Sequence, residues 1–198
     1  MKKKRGFSLK KEYVESWRFI KESKNFIYVA IGIFIAFFIL AFFVHPSEAL
    51  LNYIIEFIQE LLEKTQGMSA GELVGFIFLN NLQSSFFGMV LGVVLGIFPV
   101  LALIANGYVL GFVSSLTVAE QGIVSLWRLL PHGIFELPAI FISLGLGLKL
   151  GSFIFQKRKQ ESFRSFLLNS LRVFLFIIIP LLIIAGIIEG TFISFLGN

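Results

Sequence analysis

The stretch that decides the fold is FIYVAIGIFIAFFILAFFV, residues 26–44, in which all nineteen residues are apolar or glycine. A helix that spans a membrane needs about 20 such residues, whereas the apolar core of a secretory signal peptide has only about 7–15. His45-Pro46 follows the run and does not resemble the small-residue cleavage site of a signal peptide. We therefore expect a retained first membrane helix, preceded by a basic cytoplasmic segment at residues 1–24.

Composition extends this conclusion to the whole chain. Its 198 residues are 57% hydrophobic and include 25 Phe, and the mean hydropathy is +0.88. Soluble domains do not combine such values with repeated apolar runs of about 18 residues or more. The predicted spans are residues 26–44, 73–98, 100–118, 134–155 and 173–188. The expected fold class is all-α: a polytopic transmembrane helical bundle of five spans, in a domain of residues 25–198.

The connections between the spans have patterns of their own. At residues 49–65, apolar residues recur at helical spacing with Glu residues between them, which predicts an amphipathic outer helix too polar to span. Pro99 predicts a hairpin between the second and third spans, and Pro180 predicts a kink in the last one. Glu189-Gly190 marks the predicted end of the last span.

Charge predicts the orientation and the partners. Nine of the seventeen Lys and Arg residues precede residue 25, and four more lie between Lys157 and Arg164, whereas residues 45–72 are acidic. The positive-inside rule then places the N-terminus in the cytoplasm, in a multi-pass protein of the cell membrane. The basic clusters flank apolar runs, so we expect contacts with membrane lipid through anionic headgroups. No basic stretch interleaves with exposed aromatic residues, so we expect no nucleic-acid binding.

The side chains that would support an enzyme are scarce. The chain has no Cys, which excludes disulfides, thiolate metal sites and a Cys nucleophile. Two His residues are too few for a zinc hydrolase site. No Ser/His/acid or Ser/Lys grouping has the context of a catalytic set. We expect no enzyme activity, no catalytic residues, no metal and no cofactor.

Small and polar residues recur every four positions in three of the predicted spans. They should line one face of each helix and let helix backbones approach closely, within the chain or between copies; a pore lining is the alternative. The residues are Asn80, Ser84, Gly88, Gly92 and Gly96 in the second span, Gly107, Gly111 and Ser115 in the third, and Ser143, Gly147 and Gly151 in the fourth.

Other polar residues fall at membrane depth or at the start of the fourth span. Amides in hydrocarbon need partners or water, so they form either interhelical hydrogen bonds or a hydrated cavity. His132 and Glu136 are four residues apart and share a helix face. An ion pair, or a helix cap with Asn80 or Asn81, would give their polar groups partners. Two prolines predict an irregular helix start there, with Arg128 as a partner for freed carbonyl groups. The candidate polar cluster is Asn80, Asn81, Ser84, Asn106, Gly107, Arg128, Pro131, His132, Gly133, Glu136 and Pro138.

The run Pro131-His132-Gly133-Ile134-Phe135-Glu136-Leu137-Pro138-Ala139-Ile140 carries a family resemblance. Together with Asn80-Asn81, Pro99 and Asn106-Gly107-x3-Gly111, it resembles the stage II sporulation protein M family of small membrane proteins, over residues from about 25 to 190. The resemblance implies a membrane anchor and scaffold, because the namesake belongs to a complex that remodels peptidoglycan during engulfment and leaves hydrolysis to its partners. It brings no catalytic residues with it.

Two functions follow as hypotheses. The first is a non-enzymatic, oligomeric membrane scaffold or anchor, with a homodimer as the simplest closed assembly and with possible protein partners in the membrane. The alternative is a membrane transporter or channel, because Asn at membrane depth and Pro-interrupted helices are typical of solute sites. The polar route of that alternative would be lined by His132, Glu136, Asn80, Asn81 and Asn106.

Overall fold

The computed structural model describes residues 8–44 and 46–196, except for the side chains at 70, 128–132 and 189–196. Residues 1–7 of the predicted basic segment, and His45 after the first apolar run, therefore lie outside the described residues. The helices of the described part are α1 (Leu9–Glu22), α2 (Lys24–Phe43), α3 (Glu48–Thr65), α4 (Ala70–Val90), α5 (Ile97–Gln121), α6 (Leu130–Gly151), α7 (Lys159–Val173) and α8 (Ile179–Leu196). Short 3₁₀ segments cover Leu91–Val93, Ile123–Leu129 and Ser152–Phe155, and a π-helical turn covers Phe174–Ile178.

Five stretches in the described part of the chain are long and apolar enough to cross a membrane. They are Lys24–Phe43, Gly71–Val93, Ile97–Gln121, Gly133–Phe155 and Lys159–Ile188. The prediction of an all-α bundle with five spans is confirmed.

The turn between the second and third spans is not at Pro99, so the predicted hairpin position is wrong. The chain reverses at residues 94–96, where Leu95 and Gly96 have φ angles of 56° and 73°. Pro99 is the third residue of α5. It fits there because the N–H groups in the first turn of a helix have no intrahelical acceptor, so a residue without one loses nothing.

The last span also differs from its prediction. The helix does not end at Glu189-Gly190 but continues to Leu196, and α7 runs into it through the π-helical turn Phe174–Ile178. Pro180 follows that turn by two residues. A proline ring clashes with the carbonyl four residues earlier, and the widened π turn contains that residue, Phe176.

α6 lies at the centre of the bundle. It packs against α2, α4, α5 and α8, and 56% of its span is buried, against 17% for the spans of α2 and α4. One apolar cluster joins α6 to α4 and the last helix through Met89, Leu146 and Ile178. A second cluster joins α6 to α2 and α5 through Leu144 and Leu103. Both halves of the molecule are therefore organised around the same helix.

α3 is the amphipathic helix. Its residue Ile54 is buried in a third cluster against Ala41 of α2 and Phe112 of α5, with Leu51 and Ile58 packed beside it. The helix covers the ends of these two spans that lie farthest from the basic segments.

Glycines bring the helix backbones into contact within the monomer. A Cβ atom on Gly92 would overlap the backbone of Gly147 in α6, and one on Gly151 would overlap the backbone at residues 92–96. On the other side of the bundle, Gly107 and Gly111 of α5 have no room for a Cβ atom beside the carbonyl groups of Phe34 and Phe38 in α2. Gly88 instead faces the side chain of Leu144, which a Cβ atom would overlap.

The stripe on the second span does not stay on one face, contrary to the prediction. Residues four apart advance by about 40° more than a full turn in a helix of 3.6 residues per turn, so the two steps from Asn80 to Gly88 within α4 accumulate about 80°. Asn80 and Ser84 are accordingly exposed, whereas Gly88 and Gly92 are buried against α6. Gly96 lies beyond the end of α4, in the turn that precedes α5.

Gly147→Ala tests the close contact between α6 and α4. The added methyl would lie 2.7 Å from Cγ of Pro99 and 2.8 Å from the carbonyl oxygen of Gly88. We expect a loss of about 1–3 kcal/mol in the free energy of unfolding, measured by SDS titration of the purified protein.

Gly75→Ala is the matched control, since Gly75 lies in α4 and a Cβ there would have no neighbour within 4 Å. Its free energy of unfolding should stay level or rise by no more than about 1 kcal/mol. Equal losses for both variants would contradict the packing described here.

Candidate functional site

The outer face of α4 carries polar side chains in the middle of a membrane span. Asn80, Gln83 and Ser84 are exposed, and Asn81 is half-buried. Gln83 is twelve residues from the start and ten from the end of the span Gly71–Val93. Among the described residues, none of these side chains has a hydrogen-bond partner. Two primary amides therefore project from the bundle at the depth where hydrocarbon offers no partner.

A cavity of about 560 Å³ opens between α2, α4, α5 and α6. Most of its lining is apolar, including Phe34, Phe38 and Leu110, and its polar side chains are Asn106, Ser114 and Glu136. Nδ2 of Asn106 donates a hydrogen bond to the carbonyl of Ala102, 2.8 Å away on the same helix.

The structure brings together some of the predicted polar cluster and separates the rest. Asn106, Gly133 and Glu136 line this cavity, whereas Asn80, Asn81 and Ser84 do not. The residues predicted to form one polar route therefore lie on two different surfaces, and the first group lines this cavity. Asn80 and Ser84 face outwards on α4 because of the winding described above.

The motif around Glu136 lies in regular helix. The predicted irregular start is wrong, because α6 runs without a break from Leu130 and includes Pro138. Pro131 is the second residue of α6, where a missing N–H leaves no acceptor unsatisfied. His132 and Glu136 are one turn apart on this helix. The side chains of Arg128, Pro131 and His132 lie outside the described residues.

Lys149 is a buried cation near the other end of α6, and sequence reasoning missed it. Its side chain is 7% exposed, and Nζ donates a hydrogen bond to Oγ of Ser23 at 2.9 Å. The same Nζ lies 4.1 Å from the ring centroid of Phe19 and 5.3 Å from that of Phe166. Oγ of Ser23 in turn donates to the carbonyl of Phe19 at 2.6 Å. The sequence does mark this residue, because Lys149 is the sole charge in residues 137–155, and a charge inside a membrane span indicates a functional or structural site.

These contacts fix the junction between the N-terminal helix and the first span. Ser23 is the residue between α1 and α2, so Lys149 ties this break to α6. A second tie is the ion pair in which Nε of Arg172 donates to Oε2 of Glu12 at 2.7 Å. Nη1 of Arg172 also donates to Oδ1 of Asn169 at 2.7 Å. α1 is thus held against α7 and the basic end of α6.

Lys149→Met should loosen α1 without opening the bundle. Met keeps the apolar stem but loses the hydrogen bond to Ser23 and the cation–π contacts, which contribute about 1 kcal/mol or more each when they are desolvated. We expect amide hydrogen exchange in Leu9–Glu22 to accelerate about tenfold, measured by mass spectrometry in detergent.

The control for this change is Lys157→Met, which removes an exposed charge close to the same membrane boundary. Its exchange in α1 should match that of the unmodified protein. Unchanged protection of α1 in Lys149→Met would mean that the buried ammonium does not hold the helix.

Comparisons with known proteins complete the description. A family model described as Stage II sporulation protein M matches residues 27–194. An uncharacterised protein of Methanocaldococcus jannaschii is 34% identical over 110 residues, which cover 52% of this chain and 49% of the relative. The chain thus spans about half the length of the curated relative that it matches. No solved structure matches.

Proposed function

The chain belongs to the stage II sporulation protein M family, and from that premise we propose that it is a non-enzymatic membrane scaffold that forms a homodimer through the outer face of α4. The observation that carries this proposal is the exposure of Asn80, Gln83 and Ser84 in the middle of a span. The family and the five apolar helices support a membrane location. We further propose the cell membrane, with the N-terminus in the cytoplasm.

The physical argument is that hydrocarbon cannot satisfy these groups. An amide transferred to an apolar medium without a hydrogen bond loses several kcal/mol. Asn and Gln side chains each contain donors and an acceptor, so the same patch on a second copy can pair with it across a two-fold axis. The small side chain of Ser84 allows the two α4 helices to come close.

The glycines are not the surface for contacts between copies. Those on α4, α5 and α6 that were candidates for contacts between copies already pack against neighbouring helices of the same chain. An interface between copies therefore has to use another surface. Among the described spans, α4 carries several exposed polar side chains at mid-depth without a partner, whereas the exposed Asn106 of α5 donates to the carbonyl of Ala102 on its own helix.

A scaffold also needs a surface outside the membrane for other proteins. α3 presents Glu56, Glu60 and Glu63 outwards, while Ile54 packs on the bundle with Leu51 and Ile58 beside it. We propose that this acidic surface contacts protein partners and that any enzymatic activity of the assembly resides in them.

The double variant Asn80→Leu/Gln83→Leu tests self-association. We expect the unmodified protein to have a dimer mass in detergent and the variant to dissociate about tenfold or more readily. Interhelical hydrogen bonds in membranes contribute about 0.6–2 kcal/mol each, and two-fold symmetry doubles every loss. Light scattering over a dilution series measures the dissociation constant.

Asn52→Leu provides the matched control, because Asn52 is an exposed amide on α3, outside the spans. It should leave the dimer intact. A strictly monomeric unmodified protein would overturn the homodimer, and so would a double variant that dimerises as the unmodified protein does.

The second candidate function is a transporter or channel, and the cavity beside Glu136 favours it. A space of about 560 Å³ that contains Asn106, Ser114 and a carboxylate has the size of a small-molecule site. Its open side would have to connect to both membrane surfaces during transport.

Ion and solute flux into proteoliposomes discriminates between the two functions. A transporter should give flux above protein-free vesicles that falls at least tenfold in Glu136→Gln and persists in Glu161→Gln, which alters an exposed carboxylate on α7. The scaffold predicts no flux for any of the three proteins. Flux that depends on Glu136 would contradict the scaffold as the main function.

A further inference from the structure

A second cavity lies on the opposite, basic side of the molecule, between α1 and the π-helical turn Phe174–Ile178. Its volume is about 510 Å³, and it is lined by Tyr13, Val14, Trp17, Arg18, Lys21 and Ile177. Four of these residues offer apolar or aromatic surface and two are cations. The two kinds of surface meet in one groove.

The walls of the groove are held in place. α1 turns Ser16 and Phe19 inwards, where both are buried, and the Glu12–Arg172 ion pair fixes the helix to α7. The ring of Tyr13 packs edge-on against that of Phe176, with centroids 5.7 Å apart. The exposed side chains therefore project from a helix that has a defined position on the bundle.

Trp17 and Tyr13 are 53% and 46% exposed, respectively, although both are large aromatic residues. They lie on the helix that directly precedes the first span. Trp and Tyr favour the boundary between headgroups and acyl chains, because one part of each ring system is apolar and another part donates a hydrogen bond. This placement indicates that the groove opens to lipid.

The cations lie at the end of α1 nearest the first span. Arg18 and Lys21 are three residues apart and so are neighbours on the helix surface. Nη1 of Arg18 lies 3.3 Å from Oε2 of Glu15, but this pair is exposed and contributes little. A guanidinium has five N–H donors in a planar fork that suits phosphate oxygens, so one such contact leaves donors for a phosphodiester.

We propose that this groove binds an anionic phospholipid, with the phosphate held by Arg18 and Lys21 and an acyl chain along Tyr13, Val14, Trp17 and Ile177. The lining contains two cations and no carboxylate, and although Glu15 pairs with Arg18 beside the groove, the remaining positive charge favours a headgroup of net negative charge over a zwitterionic one. The groove is distinct from the α4 face, so this site does not depend on self-association.

The test uses the full chain in nanodiscs of equimolar phosphatidylglycerol and phosphatidylcholine. Native mass spectrometry after release from the disc measures which lipid stays on the protein. We expect the unmodified protein to retain phosphatidylglycerol preferentially, and Arg18→Gln/Lys21→Gln to reduce that preference about tenfold, since each cation near a membrane surface strengthens binding of anionic lipid several-fold.

Lys10→Gln/Lys11→Gln is the matched control, because it removes the same charge from exposed positions of α1 that do not line the groove. It should retain the preference. Equal losses in the two double variants would overturn the site in favour of a diffuse attraction by the whole helix. Displacement of the lipid by inorganic phosphate at the same concentration would show that the groove recognises the anion alone and would also contradict the proposal.

Discussion

The close contact between Gly92, in the 3₁₀ segment that ends the second span, and Gly147 of α6 is the constraint on which the bundle depends. In hydrocarbon, apolar side chains gain nothing by meeting each other instead of lipid, so helices associate where they can pack at short range. Glycines on both helices permit this, and glycines on α5 do the same for α2. With α6 fixed between these neighbours, its two charged residues have fixed places. Glu136 and Lys149 are thirteen residues apart, or about 20 Å along the helix, near opposite ends of the span.

Much of the fold could be predicted because the bilayer imposes a simple rule on composition. Apolar runs of about 20 residues identify spans whatever their neighbours are, and residues 26–44 met that rule without ambiguity. The position of the α4–α5 turn was predicted wrongly because a proline occurs either at a helix break or in the first turn of a helix. The sequence alone favoured a break at Pro99. A positive φ at Leu95, a residue that rarely adopts one, could not be anticipated.

The candidate site was harder to predict, since it depends on which way each helix is rotated. A period of four treats Asn80 and Gly88 as one face, whereas the 3.6-residue turn separates them by about 80°. Asn106, Gly133 and Glu136 were identified as polar residues of interest and do meet at one cavity. Lys149 was missed because its partners Ser23 and Phe166 come from distant parts of the chain. Its position as the sole charge in residues 137–155 was a local signal, but the contacts that bury it are a tertiary property.

The continuity of α7, the π turn and α8 has a mechanical consequence. From Lys159 to Leu196 the chain forms 38 residues of unbroken helical structure, which at about 1.5 Å per residue measures about 57 Å. The hydrocarbon core is about 30 Å thick, so close to half of this rod must stand outside it unless the rod tilts steeply. The ion pair at Arg172 clamps α1 to the same rod. A force applied to α1 would therefore act on this rod through Arg172. The rod can bend at the widened turn, Phe174–Ile178, which lies just beyond that point.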